Sequence, residues 1–144
     1  LHEIAGLSPM TDLLPIELRT VVDPRGALTV AETAENLPFA VERLFIVHGV
    51  EAGTTRGFHA HKSCHQFLIV TAGAVEVTLD DGRHRQTVRL DRVSQGLHIP
   101  PMIWGEQTYV GADAVLVVLT SDRYDRGDYI SDYAEFVALA GASR

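Results

Sequence analysis

The sequence has 144 residues, 46% hydrophobic and 22% charged, which fits one globular domain with a single core. Its formal net charge of −7 argues against sequence-independent nucleic-acid binding, which depends on a basic face. No apolar run is long enough to span a bilayer and the N-terminus lacks an export signal, so no membrane association is expected. The single cysteine, Cys64, excludes an intrachain disulfide and indicates a cytoplasmic setting.

Most of the chain predicts short β-strands. Residues 1–14 have no clear hydrophobic period and are interpreted as a flexible leader. The stretch DPRG, residues 23–26, predicts a turn, and Leu28 and Val30 then alternate with Thr29 and Ala31. The mostly apolar runs VERLFIVHG and HQFLIVTAG predict two buried strands.

The hairpin pattern is clearest in AVEVTLDDGRHRQTVRL. Val75, Val77 and Leu79 alternate with polar residues, DDGR at 80–83 forms the turn, and Val88 and Leu90 alternate on the return strand. GLHIPPMIWG predicts a short strand stopped by two prolines, and AVLVVLTS predicts a fully buried central strand.

The C-terminal stretch DYISDYAEFVALA predicts the one helix. Asp128 is its expected N-cap, and one apolar face carries Ile130, Tyr133, Phe136 and Val137. Tyr129 and Tyr133 are expected to dock this helix. Many strands, short turns and one terminal helix predict a single all-β barrel or sandwich domain over residues 15–144.

The stretch RGFHAHKSCHQF holds three histidines. In a strand, His59 and His61 share one face, because successive side chains point to opposite faces. The pair is open to three interpretations: a metal site, a proton-transfer site, or exposed strand histidines without chemistry.

The stretch GTTRGFHAH resembles the first motif of the cupin superfamily, whose members are small antiparallel barrels of the RmlC-like jelly-roll type. In metal-binding cupins a glutamate follows the histidine pair, and a second motif supplies a third histidine. Here Gln66 stands at the glutamate position, and Gly105, in GLHIPPMIWGE, stands at that of the histidine. The resemblance therefore implies neither a metal nor another cofactor.

Four segments together resemble a narrower group, the dTDP-4-keto-6-deoxyhexose 3,4-ketoisomerases or FdtA/WxcM C-terminal-like sugar isomerases. They are RGFHAHKSCHQFLIV, LDDG, IPPMIWGEQ and AVLVVLTSDRYDRGDYISDYAEF. The resemblance implies a metal-independent homodimer that acts on a dTDP-linked keto-deoxyhexose in deoxysugar biosynthesis. It moves the ketone from C4 to C3 through an enediolate.

His59 and His61 match the catalytic pair of that family, and which of them removes the C3 proton is left open. Arg56 matches a family arginine and is expected to anchor the diphosphate. Arg25 and Arg43 are further candidates for binding the substrate. Gln66 is expected to bind substrate if it faces the same cavity as the histidines, and Trp104 is expected to wall the sugar or thymine pocket.

The sequence departs from the family on the strand before the histidines. Several members carry a tyrosine pair there, whereas this chain has Leu44, Phe45 and Ile46 without a hydroxyl. His48 is the nearby side chain that could take over that role. Two alternatives follow: a non-catalytic nucleotide-sugar binding module, or a metal-dependent cupin enzyme. The configuration of the product, gluco or galacto, is not set by these motifs.

Overall fold

The computed structural model describes Met10 and residues 13–142. Within these residues the chain forms twelve strands, a 3-10 helix at Arg126–Asp128 and one α-helix. In chain order the elements are β1 Ile16–Glu17, β2 Arg19–Asp23, β3 Gly26–Val30, β4 Arg43–Val47, β5 Thr55–His61, β6 Gln66–Ala72, β7 Val75–Asp80, β8 Arg85–Leu90, β9 Gln95–Ile99, β10 Trp104–Tyr109, β11 Val115–Thr120, β12 Tyr129–Ile130 and α1 Tyr133–Ala142.

Two antiparallel sheets of five strands enclose the main core. One sheet has the order β1-β9-β6-β11-β4 and the other the order β12-β5-β10-β7-β8, while β2 and β3 pair only with each other among the described strands. The alternating apolar residues of both inner faces meet in one buried cluster. This mostly antiparallel architecture with one short C-terminal helix confirms the predicted fold class.

The predicted hairpin is β7–β8. Val75, Val77 and Leu79 are completely buried, and Val77 lies opposite Val88 on the return strand. The turn closes where the Asp81 amide donates to the His84 carbonyl at 3.1 Å. Burial of each large side chain contributes about 1.5–3 kcal/mol, so this period-two pattern fixes the register of the sheet.

The strand predicted as central and fully buried is β11. It is central, because it pairs with β4 on one side and β6 on the other. The prediction of full burial is wrong: Leu116 and Val118 are buried, while Val117 and Leu119 on the outer face are half-buried. Because β11 has apolar residues on both faces, its sequence does not show that the inner face is more buried than the outer face.

The helix α1 begins four residues later than predicted, at Tyr133. Its cap is Asp132, whose carboxylate accepts from the Ala134 amide at 3.0 Å, so the prediction of Asp128 as N-cap is wrong. Ile130 lies in β12 rather than in the helix. The buried face of α1 packs on the outer face of the second sheet, in a cluster of Ala60, Trp104, Ile130, Phe136 and Ala140.

Most of the predicted leader, residues 1–14, lies outside the described residues. Met10 and Leu13 are described, and both side chains are buried in the main core. Across Met10 and residues 13–142, no helix has the length and apolar character needed to cross a bilayer.

Candidate active site

His59 and His61 lie near the end of β5, where their rings are 5.0 Å apart in an edge-to-face arrangement. Tyr129, opposite His61 on β12, packs against both rings, at 4.8 Å from His59 and 4.4 Å from His61. Tyr129 was predicted to dock the helix; it instead joins the two histidines in one aromatic cluster.

A β-bulge interrupts β5 directly before the histidines. His59 lies opposite Gly105 of β10, but Gly57 lies opposite Glu106, so Phe58 is an extra residue in the ladder. Both residues of the bulge have left-handed backbone angles, with φ of 100° at Gly57 and 56° at Phe58. Such a conformation is rare for phenylalanine, and strain of this kind is often found at functional sites.

The bulge brings Arg56 to the side of β5 that carries His59. In a regular strand, residues three apart face opposite ways. Here Arg56 pairs with Gln107, two positions after the partner of His59 on β10, and both Arg56 and His59 line one cleft. The extra residue Phe58 therefore places Arg56 and His59 on the same side of β5.

Only glycine fits at position 57. A Cβ atom there would lie 2.9 Å from the side-chain oxygen of Gln107 and 2.9 Å from the carbonyl oxygen of Gly105. The Gly57 carbonyl also accepts a hydrogen bond from Nδ1 of His59 at 3.0 Å. Since a carbonyl only accepts, Nδ1 carries the hydrogen and Nε2 of the neutral ring keeps its lone pair.

His61 is held by a buried carboxylate. Its Nδ1 donates to Oδ2 of Asp128 at 2.9 Å, and the two residues are 6% and 9% exposed. Asp128 also accepts from the Ser63 amide and hydroxyl at 2.8 and 3.0 Å and from the Cys64 amide at 3.2 Å. Nε2 of His61 is buried without a hydrogen-bond partner. The carboxylate therefore selects the tautomer whose Nε2 can accept a proton.

The electrostatics keep both imidazoles neutral. Burial lowers the pKa of His59, and burial also lowers the pKa of His61 although the hydrogen bond to Asp128 opposes it. Burial raises the pKa of Asp128, but the hydrogen bonds from His61, Ser63 and Cys64 outweigh it and leave that pKa lowered. The pair is thus a neutral histidine beside an ionised aspartate, a state suited to accepting a proton.

A cleft of about 450 Å³ opens beside His59. It continues inward into a cavity of about 90 Å³ between the sheets, since His59, Arg56, Phe45 and Val47 line both spaces. Gln66 lines the cavity, and the exposed His48 lines the cleft. Phe45 lines both spaces with a hydrocarbon ring that carries no hydroxyl.

Two arginines line the cleft, Arg43 and Arg56. Neither forms an ion pair with another residue in the described part of the chain. The Arg43 guanidinium stacks 4.7 Å from the Phe45 ring centre and 5.2 Å from that of Tyr124. Both cations are therefore available to an anion in the cleft.

Two of the predicted binding residues are not brought to the histidines. Arg25 lies in the β2–β3 turn, ion-paired with Asp23 at 2.7 Å, beside a separate groove of about 430 Å³. Trp104 is 3% exposed on the outer face, where it packs on α1 and donates from Nε1 to Glu106 at 2.9 Å. A further groove of about 490 Å³, lined by residues 33–39, contains no histidine.

One cluster in the described ranges could hold a metal ion. Ligand atoms of His61, Cys64 and Asp128 lie within 4.8 Å of one another. A metal there would have to compete with the His61 hydrogen bond and with the three other donors on Asp128. The His61 and Asp128 atoms that could bind a metal already form hydrogen bonds, and no catalytic step is assigned to a metal.

Comparison with known proteins identifies relatives over almost the whole chain. The family model described as WxcM-like, C-terminal (FdtA) matches residues 11–141. A curated relative, the TDP-4-oxo-6-deoxy-alpha-D-glucose-3,4-oxoisomerase of Aneurinibacillus thermoaerophilus, is 38% identical over 121 residues, which are 84% of this chain and 87% of that protein.

Solved structures agree with this match. QdtA, a sugar 3,4-ketoisomerase of Thermoanaerobacterium thermosaccharolyticum in complex with TDP, has a TM-score of 0.86 and 33% identity, covering 90% of this chain and 94% of that one. A histidine-to-asparagine variant of QdtA, in complex with TDP-4-keto-6-deoxyglucose, has a TM-score of 0.85 and 33% identity, covering 89% of this chain and 93% of that one.

Proposed function

This chain belongs to the WxcM-like, C-terminal family (FdtA), and on that premise we propose that it is a dTDP-4-keto-6-deoxyhexose 3,4-ketoisomerase of deoxysugar biosynthesis. The membership confirms the family predicted from the sequence. The observation that carries the proposal is the neutral His59 at the junction of cleft and cavity, backed by the buried His61–Asp128 pair. A cytoplasmic location with Cys64 reduced is part of the proposal.

His59 is assigned the proton transfer between carbons. Nε2 of His59 takes the proton from C3 as the electrons of that C–H bond form the C3–C4 double bond and the C4 oxygen gains negative charge. The same imidazolium returns the proton to C4. The hydroxyl proton of O3 ends on O4, so the ketone moves to C3 with no net change in atoms. His59 is chosen because it lines both the cleft and the cavity.

His61 is assigned a supporting role behind His59. It is buried, its ring meets that of His59 edge to face, and Asp128 holds its tautomer. Its Nε2 lone pair stabilises a neighbouring positive charge or accepts a hydroxyl proton. Arg43 and Arg56 are assigned to the diphosphate, which an acidic protein can hold only with local cations.

Proton NMR in deuterated buffer with EDTA tests the activity. With dTDP-4-keto-6-deoxyglucose, the C3 proton signal should disappear while a 3-keto sugar accumulates, and the coupling at C4 would give the gluco or galacto configuration. Tight dTDP binding without C3 exchange would instead support a nucleotide-sugar binding module. Activity that EDTA abolishes would support a metal-dependent enzyme.

We further propose that the protein is a homodimer. The β2–β3 hairpin forms no ladder with either sheet of the described chain, and Val21, Val22 and Leu28 on it are 52%, 73% and 59% exposed. Leu44 and Ile46, on the edge strand β4, are 53% and 51% exposed. An isolated hairpin is marginally stable in water, and an open apolar edge invites pairing, so a second copy is the expected cover.

Substitution of Val22 by aspartate is expected to weaken the dimer. A carboxylate buried at the interface costs several kcal/mol unless it is paired, so the dissociation constant should rise more than ~10-fold. Sedimentation velocity across a concentration series measures it. Val93→Asp, at a 44% exposed valine outside the hairpin, is the control. A wild-type protein that sediments as a monomer at micromolar concentration would refute the homodimer.

A further inference from the structure

Besides His59 and Arg56 at its mouth, the cavity contains three more polar side chains. Gln66, Gln107 and Tyr109 line it, on strands β6 and β10. The side chains of Gln66 and Gln107 form no hydrogen bond with other residues in the part of the chain that the structure describes. Hydrocarbon side chains of Phe45, Val47, Leu68, Leu116 and Val118 complete the walls, together with Arg56, Gly57 and His59.

Tyr109 is the feature that requires explanation. The residue is 0% exposed, and its hydroxyl is buried without a hydrogen-bond partner. Its backbone is fixed at the end of β10, donating to the Thr54 carbonyl at 2.9 Å and accepting from the Gly53 amide at 2.7 Å. A buried hydroxyl without a partner is costly and rare in proteins. A core position needing only a ring would be better served by phenylalanine.

The reaction creates a charge in this region. Removal of the C3 proton by His59 places negative charge on the C4 oxygen of the sugar, next to hydrocarbon walls. Such a charge needs a donor that is fixed in advance and aimed at it. Phe45 offers none. Arg43 lines the cleft alone, and Arg56, which lines both spaces, is assigned to the diphosphate.

We propose that the Tyr109 hydroxyl donates a hydrogen bond to the sugar oxygen that carries the negative charge of the enediolate. This makes Tyr109 a catalytic residue, and the assignment rests on the proposed isomerase function. The amides of Gln66 and Gln107 line the same cavity and provide further neutral donors.

The protonation of Tyr109 agrees with this role. Burial raises the pKa of its hydroxyl, and the positive charge of Arg56 opposes that rise without cancelling it. The hydroxyl therefore stays protonated throughout the range in which His59 is a base, and it acts as a donor without transferring its own proton away.

Tyr109→Phe tests the proposal. We expect kcat to fall roughly 100-fold, with C3 hydrogen exchange falling in parallel, because both pass through the enediolate. The affinity for dTDP should change less than about twofold, since that part of the ligand lies outside the cavity. The melting temperature should be equal to or above that of the wild type, because the change removes an unsatisfied buried hydroxyl.

Tyr133→Phe is the matched control. Its hydroxyl donates to Asp80 at 2.8 Å beneath α1, away from the cavity. Loss of that bond should lower the melting temperature by a few degrees, about what the loss of one hydrogen bond gives in a domain of this size, and leave kcat unchanged. The two variants are therefore expected to have opposite effects on stability and on rate.

The outcomes separate this inference from the proposed function. If the wild type isomerises and Tyr109→Phe retains kcat within about twofold, the inference is overturned and the function stands. An equal loss of dTDP and dTDP-sugar affinity would also overturn it, as a sign of general distortion. If the wild type does not isomerise, the proposed function fails. The inference is then supported by a selective loss of dTDP-sugar affinity in Tyr109→Phe and overturned by unchanged affinity.

Discussion

Replacement of His59 by asparagine is expected to lower kcat by about 10³-fold or more, because the substrate would lose the base at the junction of the cleft and the cavity. Asparagine keeps a donor that can still reach the Gly57 carbonyl, which the imidazole Nδ1 now bonds at 3.0 Å. The bulge should therefore remain, and dTDP affinity should be preserved. Turnover by NMR and dTDP binding by calorimetry measure the two effects separately.

His84→Asn provides the matched control for His59→Asn. His84 lies in the exposed turn between β7 and β8, where it approaches Asp81 at 3.7 Å. Its substitution changes the same chemical group without touching the cleft, so kcat should equal that of the wild type. If the His59→Asn protein isomerised at more than about a tenth of the wild-type rate, a residue other than His59 would be the one that moves the proton from C3 to C4.

The pH dependence of the wild type follows from the same site. Burial lowers the pKa of His59 from its ordinary 6.5, so the neutral base persists below that pH. The midpoint of the acid limb of log kcat/KM should therefore lie below pH 6.5, and this limb should be absent in His59→Asn. An acid limb above that value would mean that the imidazole is stabilised as a cation.

The strands that carry the site could be predicted from the sequence, because their inner and outer faces follow from the alternation of apolar and polar residues. Val75, Val77 and Leu79 alternate on β7 as buried inner residues, and His59 and His61 share contacts with Tyr129 as the strand period requires. Alternation cannot reveal where it is broken. The extra residue Phe58 changes the parity of β5, and nothing in the apolar pattern marks it except the adjacent Gly57.

Long-range polar partners were equally invisible in the sequence. Asp128 lies 67 residues from His61, in a stretch whose local composition favours a helix cap. Its real role depends on β12 pairing with β5, which fixes the two side chains side by side. Trp104 and Tyr109 show the same limit: both are buried on β10, but they lie on opposite faces. Burial alone therefore does not show that Trp104 faces the helix and Tyr109 faces the cavity.

The second large effect is expected from Asp128→Asn. It should lower kcat by up to about 10⁴-fold, which is the loss that the same change of the buried aspartate causes in a serine protease. If the amide oxygen keeps the two Ser63 hydrogen bonds, the amide nitrogen takes the place of Oδ2 and faces the His61 Nδ1–H and the Cys64 amide, both donors. His61 must then move its hydrogen to Nε2, which becomes a donor and can no longer accept a proton.

Two readouts distinguish this tautomer effect from simple unfolding. Nitrogen-15 NMR should show Nε2 of His61 changing from an unprotonated to a protonated nitrogen. The variant should also lose an acid-labile part of its stability: the lowered pKa of Asp128 stabilises the wild-type fold above about pH 4, and that contribution is lost as pH falls through the lowered value.

Asp122→Asn is the control, because it removes a nearby carboxylate charge without removing a hydrogen-bond partner of His61. Asp122 accepts from the Ser63 and Ser121 hydroxyls at 3.1 and 2.9 Å and does not bond His61. It changes the net charge equally, so a kcat within about threefold of the wild type would locate the effect of Asp128→Asn in the imidazole rather than in the local field. A fall in kcat of the same size in both variants would instead make the whole serine–aspartate network the source of the effect. His61 would then have no special dependence on its tautomer.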